Sequence, residues 1–167
     1  MARNMQAGSC PSRGFTYIGI LLAVAFLGIA LSAVGTVWVT AARREREQQL
    51  LFAGDAYRAA IASYYSSGPV AHQLPQNLQD LLDDPRSQRT RRHLRTLYPD
   101  PMTGSVDWVL VRDPDGGIFG VSSPASAVPM KRAGFSAEDA GFEDAECYCD
   151  WRFEFHPARR GLRVRKP

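Results

Sequence analysis

The distribution of apolar and charged positions divides the start of the chain into a long apolar segment and an amphipathic continuation. No Asp, Glu, Lys or Arg occurs in the 28 residues Phe15–Ala42. No proline occurs in Arg43–Tyr65, where apolar residues recur at helical spacing, namely Leu50, Ala53, Tyr57, Ala60, Ile61 and Tyr64. This pattern predicts one continuous helix from about Phe15 to about Ser66, ended by the sequence "SSGP" at residues 66–69.

The apolar segment has the length of a transmembrane helix. At about 1.5 Å per residue, 28 helical residues extend roughly 42 Å, against roughly 30 Å of hydrocarbon in a bilayer. A cleaved secretory signal is the alternative, but its apolar core usually has about 7–15 residues. Arg3 and Arg13 precede the segment, and Arg43, Arg44 and Arg46 follow it, so positive charge alone leaves its orientation open.

Without its first 42 residues, the chain has the length of one small domain. The remaining 125 residues are too few for two domains, and the whole chain is 45% apolar and 22% charged with a net charge of +3. The first element predicted after the long helix is a second helix that starts at Pro75 and ends near Asp84. Its apolar face would comprise Leu74, Leu78, Leu81 and Leu82.

The rest of the domain shows the alternation of a small antiparallel sheet. Strands are predicted at Trp108–Val111 and Ile118–Val121, which the hairpin sequence "DPDGG" joins, and at Trp151–Phe155. Gly161–Arg165 would add an edge strand, and residues 122–150 are predicted to be a loop. Three or four strands packed on the C-terminal half of the long helix would bury both apolar faces, which gives an α+β fold.

The residues directly before the apolar segment carry a family resemblance. A basic residue is followed by Gly14 and then by "FTYI" at residues 15–18. This arrangement resembles the type IV prepilin signature of type IV pilins and type II secretion pseudopilins. The resemblance implies that a prepilin peptidase cleaves the Gly14–Phe15 bond and that Phe15 is then N-methylated. Glycine suits the cleavage position because it lacks a Cβ and leaves the backbone open to the protease.

The same resemblance implies a pilin-like fold in which the long helix packs on the small sheet. Residues 1–14 would be a cytoplasmic leader and residues 15–42 the transmembrane part of the helix. Residues 43–66 would continue the helix into the periplasm, and residues 67–167 would form a globular periplasmic head.

One position departs from the family pattern. The fifth mature residue is usually Glu, which can pair in the bilayer with the N-terminal amine of a neighbouring subunit, and here it is Gly19. A carboxylate in lipid is costly unless a partner amine meets it. The glycine therefore favours a minor or specialised subunit, with a repeated subunit that packs without the charge pair as the alternative.

A second stretch resembles the G-type major pseudopilins of general secretion. It consists of "YPDPMTG" at residues 98–104 and the predicted strands that follow it. Pseudopilins of that type have a calcium site in a C-terminal loop, and the loop here has carboxylates that could bind calcium as a cofactor. They are Glu138, Asp139, Glu143, Asp144, Glu146 and Asp150. A solvated acidic loop without calcium is the other interpretation, and we assign no calcium ligands.

Two charged stretches have no single interpretation. The basic stretch Arg86–Arg95 contains Arg86, Arg89, Arg91, Arg92, His93 and Arg95. Such a patch could contact nucleic acid, lipid or an acidic partner, or be plain solvated surface, and nucleic acid is the least favoured because no aromatic residues are interleaved. The charges of Arg43–Gln49 are explained by a solvated helix face.

Cysteine usage is simplified by the implied processing. Cys10 would leave with the leader, so that Cys147 and Cys149 remain. A disulfide between them would close a small ring, and zinc binding with His156 would lack a fourth ligand, so two buried or transiently oxidised thiols are the expectation.

The sequence shows no nucleophile beside a base and no phosphate-binding loop, so the chain is predicted not to be an enzyme. The expectation is a subunit of a type II secretion pseudopilus or type IV pilus-like filament, located in the bacterial inner membrane with its head in the periplasm. Its partners would be the prepilin peptidase, other pilins or pseudopilins, an inner-membrane assembly platform and membrane lipid. The alternative is a single-pass inner-membrane protein whose periplasmic domain binds a secreted or envelope partner.

Overall fold

The computed structural model describes residues 13–68 and 72–157, without the side chains of residues 13–15 and 30–37. It distinguishes two compact units, Met1–Ala42 and Arg43–Pro167. The fold class is α+β, as the sequence predicted. Apart from the backbone of its last two residues, the predicted leader at residues 1–14 lies outside the described residues.

Helix α1 spans Arg13–Ser66, which confirms the single long helix and moves its start two residues earlier than predicted. The helix ends where Ser66 and Ser67 donate side-chain hydrogen bonds to the carbonyls of Ala62 and Ser63, at 2.7 and 2.6 Å. Gly68 then takes a φ of 103°, a left-handed conformation that glycine adopts without strain.

The transmembrane prediction concerns residues 15–42. Among the residues whose placement is described, no helix is both long and apolar enough to cross a membrane. Residues 15 and 30–37 belong to the predicted span, and their side chains lie outside the described ones.

The core of the second unit lies on one face of α1. All six residues of the predicted face are buried, namely Leu50, Ala53, Tyr57, Ala60, Ile61 and Tyr64. The same cluster contains Val121, Trp151 and Phe153, each fully buried. A Cβ at Gly54 would overlap the Phe153 ring, so the missing side chain of Gly54 lets the sheet approach the helix closely.

The sheet has three antiparallel strands, β1 (Val109–Arg112), β2 (Ile118–Ser122) and β3 (Arg152–Glu154), in the order β1-β2-β3. In its centre, Val121 lies opposite Leu110 on one side and Phe153 on the other. The three predicted strands and the "DPDGG" hairpin are therefore confirmed within one or two residues. The proposed edge strand Gly161–Arg165 lies outside the described residues.

The predicted helix from Pro75 to Asp84 is wrong in length and type, because only Leu78–Leu81 is helical and it forms a 3₁₀ turn. The carbonyl of Pro75 accepts a hydrogen bond from the Ile118 amide at 2.8 Å, which ties this residue to the hairpin. Leu78 and Leu81 are buried as predicted.

The segment between β2 and β3 is largely irregular, as predicted, but includes short 3₁₀ helices at Ala137–Phe142 and Tyr148–Asp150. Phe142 stacks on Trp151 with ring centroids 5.4 Å apart and meets Phe153 edge-on at 5.2 Å. This loop therefore completes the core rather than lying free over it.

Candidate functional site

The predicted cleavage site lies in the first turn of α1. Gly14 and Phe15 both have helical backbone, since the helix begins at Arg13. Their side chains lie outside the described ones. The first N–H groups of a helix have no partner inside it, and helix ends open more easily than helix interiors.

The helical surface that follows is apolar and exposed. Every described side chain from residue 16 to residue 29 is exposed. The large ones among them are Tyr17, Ile18, Ile20, Leu21, Leu22, Val24, Phe26, Leu27 and Ile29. An apolar patch of this extent on a soluble surface marks contact with lipid or with another protein.

Gly19 lies on this surface. A Cβ built on Gly19 would meet nothing within 4 Å. Within the described part of the chain, packing therefore does not require glycine at the position where the pilin family usually has Glu.

Glu47 anchors the loop between β2 and β3 to α1. This contact corrects the interpretation of Arg43–Gln49 as a wholly solvated helix face. Its carboxylate is buried and accepts hydrogen bonds from the amides of Met130 and Lys131 and from the Tyr148 hydroxyl, the last at 2.7 Å. Burial and this hydrogen bond raise the pKa of Tyr148 to about 12. Arg43 donates to the carbonyl of Val128 at 3.0 Å, so two adjacent turns of α1 hold the loop.

Arg58 forms a second anchor with the acidic loop. Its buried guanidinium pairs with Asp139, with Glu138 at 3.0 Å and with Asp55 at 3.1 Å. It also lies over the Phe153 ring, 5.6 Å from the centroid. Glu138 and Asp139, two of the carboxylates considered as calcium ligands, are therefore engaged in ion pairs with Arg58.

A third anchor is formed by Asp84 with two residues of the basic stretch, Arg86 and His93. Asp84 is fully buried and accepts hydrogen bonds from Arg86 Nε and Nη2, both at 2.9 Å. These bonds hold the pKa of Asp84 at about 2, and the Arg86 guanidinium stacks 3.5 Å over the Tyr64 ring. His93 Nε2 lies 3.4 Å from the same carboxylate. Arg86 and His93 are therefore structural, and the exposed arginines of the stretch are Arg89, Arg91, Arg92 and Arg95.

The sequence predicted no nucleophile beside a base, and the structure corrects this. Ser63 Oγ lies 2.8 Å from His93 Nδ1, so that Ser63, His93 and Asp84 form a hydrogen-bonded relay. Arg86 already holds both oxygens of Asp84. Ser63 lies inside α1, where backbone N–H groups donate to the preceding turn and cannot form an oxyanion hole. The relay joins the basic stretch to the helix.

The "YPDPMTG" stretch closes around Asp100, which is fully buried. Its carboxylate accepts hydrogen bonds from the Met102 amide at 2.9 Å, from Thr103 Oγ1 at 3.1 Å and from Ser123 Oγ at 2.7 Å. These bonds tie the turn to the residue after β2. The stretch that resembles the G-type pseudopilins therefore serves here to fix the loop on the sheet.

The two cysteines of the second unit are joined as a Cys147–Cys149 disulfide. This finding differs from the expectation of two buried or transiently oxidised thiols, because the pair is bonded and neither cysteine is buried, and it removes both sulfurs as zinc ligands. His156 instead lies 3.2 Å from Glu154. Asp150, the neighbouring carboxylate, accepts hydrogen bonds from the amides of Glu146 and Cys147, both at 3.1 Å.

No protein-family model, curated protein or solved structure matches the chain. Its function is therefore inferred from its own residues.

Proposed function

We propose that the chain is a specialised structural subunit of a type II secretion pseudopilus or type IV pilus-like filament. A prepilin peptidase cleaves it between Gly14 and Phe15 and the new N-terminus is methylated. The observation that carries the proposal is the position of this motif in the first turn of a 54-residue helix. The next described side chains, from residue 16 to residue 29, are exposed and almost all apolar.

A filament subunit accounts for this exposed surface in two states. Before assembly the apolar part of α1 would be inserted in the inner membrane, where lipid covers it. After assembly the same surface would pack against the helices of neighbouring subunits, and Gly19 and Gly28 would permit close approach. Cleavage at the cytoplasmic end of the segment keeps the helix attached to the head through both states.

Gly19 supports the specialised role within this proposal. The subunit would lack the carboxylate that usually pairs with a neighbour's N-terminal amine. Contacts made by the head would therefore contribute a larger share of the binding between subunits. The three anchors at Glu47, Arg58 and Asp84 support such a role because they fix the head's loops on α1, the third through the hydrogen bond from Arg86 to the carbonyl of Tyr64. The partners would be the peptidase, other pilins or pseudopilins and an inner-membrane assembly platform.

Co-expression with a prepilin peptidase tests the proposal. We expect the full chain to be shortened by its 14-residue leader, and a Gly14→Ala variant to stay at full length. Gly19→Ala is the matched control, since it alters a nearby helical glycine without neighbours and should be cleaved normally. Persistence of the full-length chain beside an active peptidase would contradict the proposal and favour the single-pass binding protein.

A further inference from the structure

The exposed arginines of the basic stretch form a patch that makes no ion pair with the residues the structure describes. We define the arginine patch as Arg89, Arg91, Arg92 and Arg95, all exposed. The ion pairs found between described residues include none from these four side chains. Four positive charges within seven residues repel one another, so a partner that supplies negative charge is favoured.

The same chain carries a complementary surface. We define the acidic strip as Glu143, Asp144 and Glu146, which are exposed. Their carboxylates also take no part in the ion pairs or side-chain hydrogen bonds seen in the described part of the head. The other carboxylates of the loop differ, since Glu138 and Asp139 are paired with Arg58.

Both surfaces are held on a fixed backbone. Next to the arginine patch, the amides of His93 and Leu94 donate to the carbonyl of Leu81 at 2.8 and 2.9 Å. Within the acidic strip, Arg132 donates to the carbonyl of Ala145 at 3.2 Å, and Ala145 is buried. Preformed surfaces lose less conformational entropy when they bind, which favours recognition.

The two surfaces are attached to different levels of α1. The patch is joined to Ser63 through His93, and the strip is followed by Tyr148, which is joined to Glu47. These attachment points are 16 residues apart, which is roughly 24 Å along a helix. The two surfaces are therefore held at different positions on the head.

We propose that the arginine patch of one copy docks on the acidic strip of a second copy displaced along the helix axis. The contact joins two different surfaces, so it is heterologous rather than two-fold symmetric. This inference rests on the proposed function and deepens it. Copies of the chain would associate through their heads, because Gly19 lacks the carboxylate that would form the usual charge pair in the membrane.

A charge-reversal cycle in the full-length chain tests this contact. The first variant carries Arg91→Glu with Arg92→Glu, the second carries Glu143→Arg with Asp144→Arg, and the third combines all four substitutions. Self-association of the detergent-solubilised protein is measured by sedimentation at low and high salt. We expect each double reversal to weaken self-association roughly tenfold or more, and the combined variant to regain most of the loss.

The control is Asp107→Arg with Asp115→Arg, which changes the charge equally at two exposed carboxylates outside the strip and should leave self-association unchanged. The inference is overturned if the combined variant is not restored. It is also overturned if the arginine reversal abolishes binding to anionic phosphatidylglycerol vesicles or to duplex DNA while self-association stays intact.

Cleavage after Gly14 is measured on the same variants. If the variants are cleaved normally and the charge reversals do not change self-association, the patch–strip contact is refuted and the proposed function is unaffected. A wild-type chain that the peptidase does not cleave removes the proposed function, whatever the sedimentation result.

Discussion

Gly54 gives the most direct test of how the head packs on α1. A Cβ at this position would overlap three atoms of the Phe153 ring. Phe153 is fully buried, with Phe142 edge-on at 5.2 Å and the Arg58 guanidinium 5.6 Å from its centroid. Because the ring is enclosed, Gly54→Ala must displace either the helix or β3.

The size of the effect follows from two opposing contributions. Alanine in place of glycine inside a helix stabilises by about 1 kcal/mol. Overpacking of an enclosed core destabilises by about 1–3 kcal/mol, and a ring with no direction of escape belongs at the upper end. The free energy of unfolding should therefore fall by about 1–2 kcal/mol, the opposite sign from an ordinary helical Gly→Ala substitution.

The assay is denaturant unfolding of the detergent-solubilised chain followed by tryptophan fluorescence, since Trp108 and Trp151 are buried in the head. Gly141→Ala is the control, because a Cβ there meets nothing within 4 Å and its stability should be unchanged or slightly higher. In a Phe153→Leu background the cost of Gly54→Ala should shrink. A Gly54→Ala protein as stable as the wild type would refute the helix–sheet packing described above.

Three further predictions concern the buried carboxylates and the apolar helix. Because the pKa of Asp84 is lowered from 3.8 to about 2, its ionised form contributes roughly 2 kcal/mol to the free energy of unfolding above about pH 4, and this contribution is lost as the pH falls through 2. Asp84→Asn should remove this component from the pH dependence of stability. An unaltered acid-unfolding profile would argue against the Arg86 pairing. Glu47→Gln should cost about 1–3 kcal/mol and speed hydrogen exchange at the Met130 amide, since the buried carboxylate is replaced by an uncharged amide oxygen, which is a weaker acceptor. Unchanged exchange there would mean that the charge of Glu47 does not hold the loop. Gly19→Glu should leave the unfolding midpoint of the head unchanged, because no described atom lies within 4 Å of its Cβ position, and a shifted midpoint would speak against that open environment.

Local patterns predicted the elements whose signals lie within one stretch of sequence. The apolar spacing of Leu50 to Tyr64 predicted the buried face of α1, and the "DPDGG" sequence predicted the β1–β2 hairpin. The prediction of a second helix was wrong. Its leucines have helical spacing, but the carbonyl of Pro75 accepts a hydrogen bond from the amide of Ile118, 43 positions further along. Local spacing cannot show a competing long-range hydrogen bond.

The anchors were missed for the same reason. Glu47 looks like a member of a solvated charged run, and only the approach of Tyr148, 101 positions away, explains its burial. The pairing of Arg58 with Asp139 spans 81 positions. The sequence carried a signal in both cases, because each charge lies on the apolar face of α1. Arg58 lies between Leu50 and Ile61, and Glu47 lies about one turn before Leu50. Charges placed on an apolar helix face are therefore worth marking as candidates for buried pairs.

The central claim is that the chain is processed as a prepilin, and an intact-mass measurement of the protein purified from its native membranes tests it most directly. The account predicts a chain that begins at Phe15, lacks residues 1–14 and carries one added methyl group at its N-terminus. A chain that keeps residues 1–14, or one cut at another position, would contradict it.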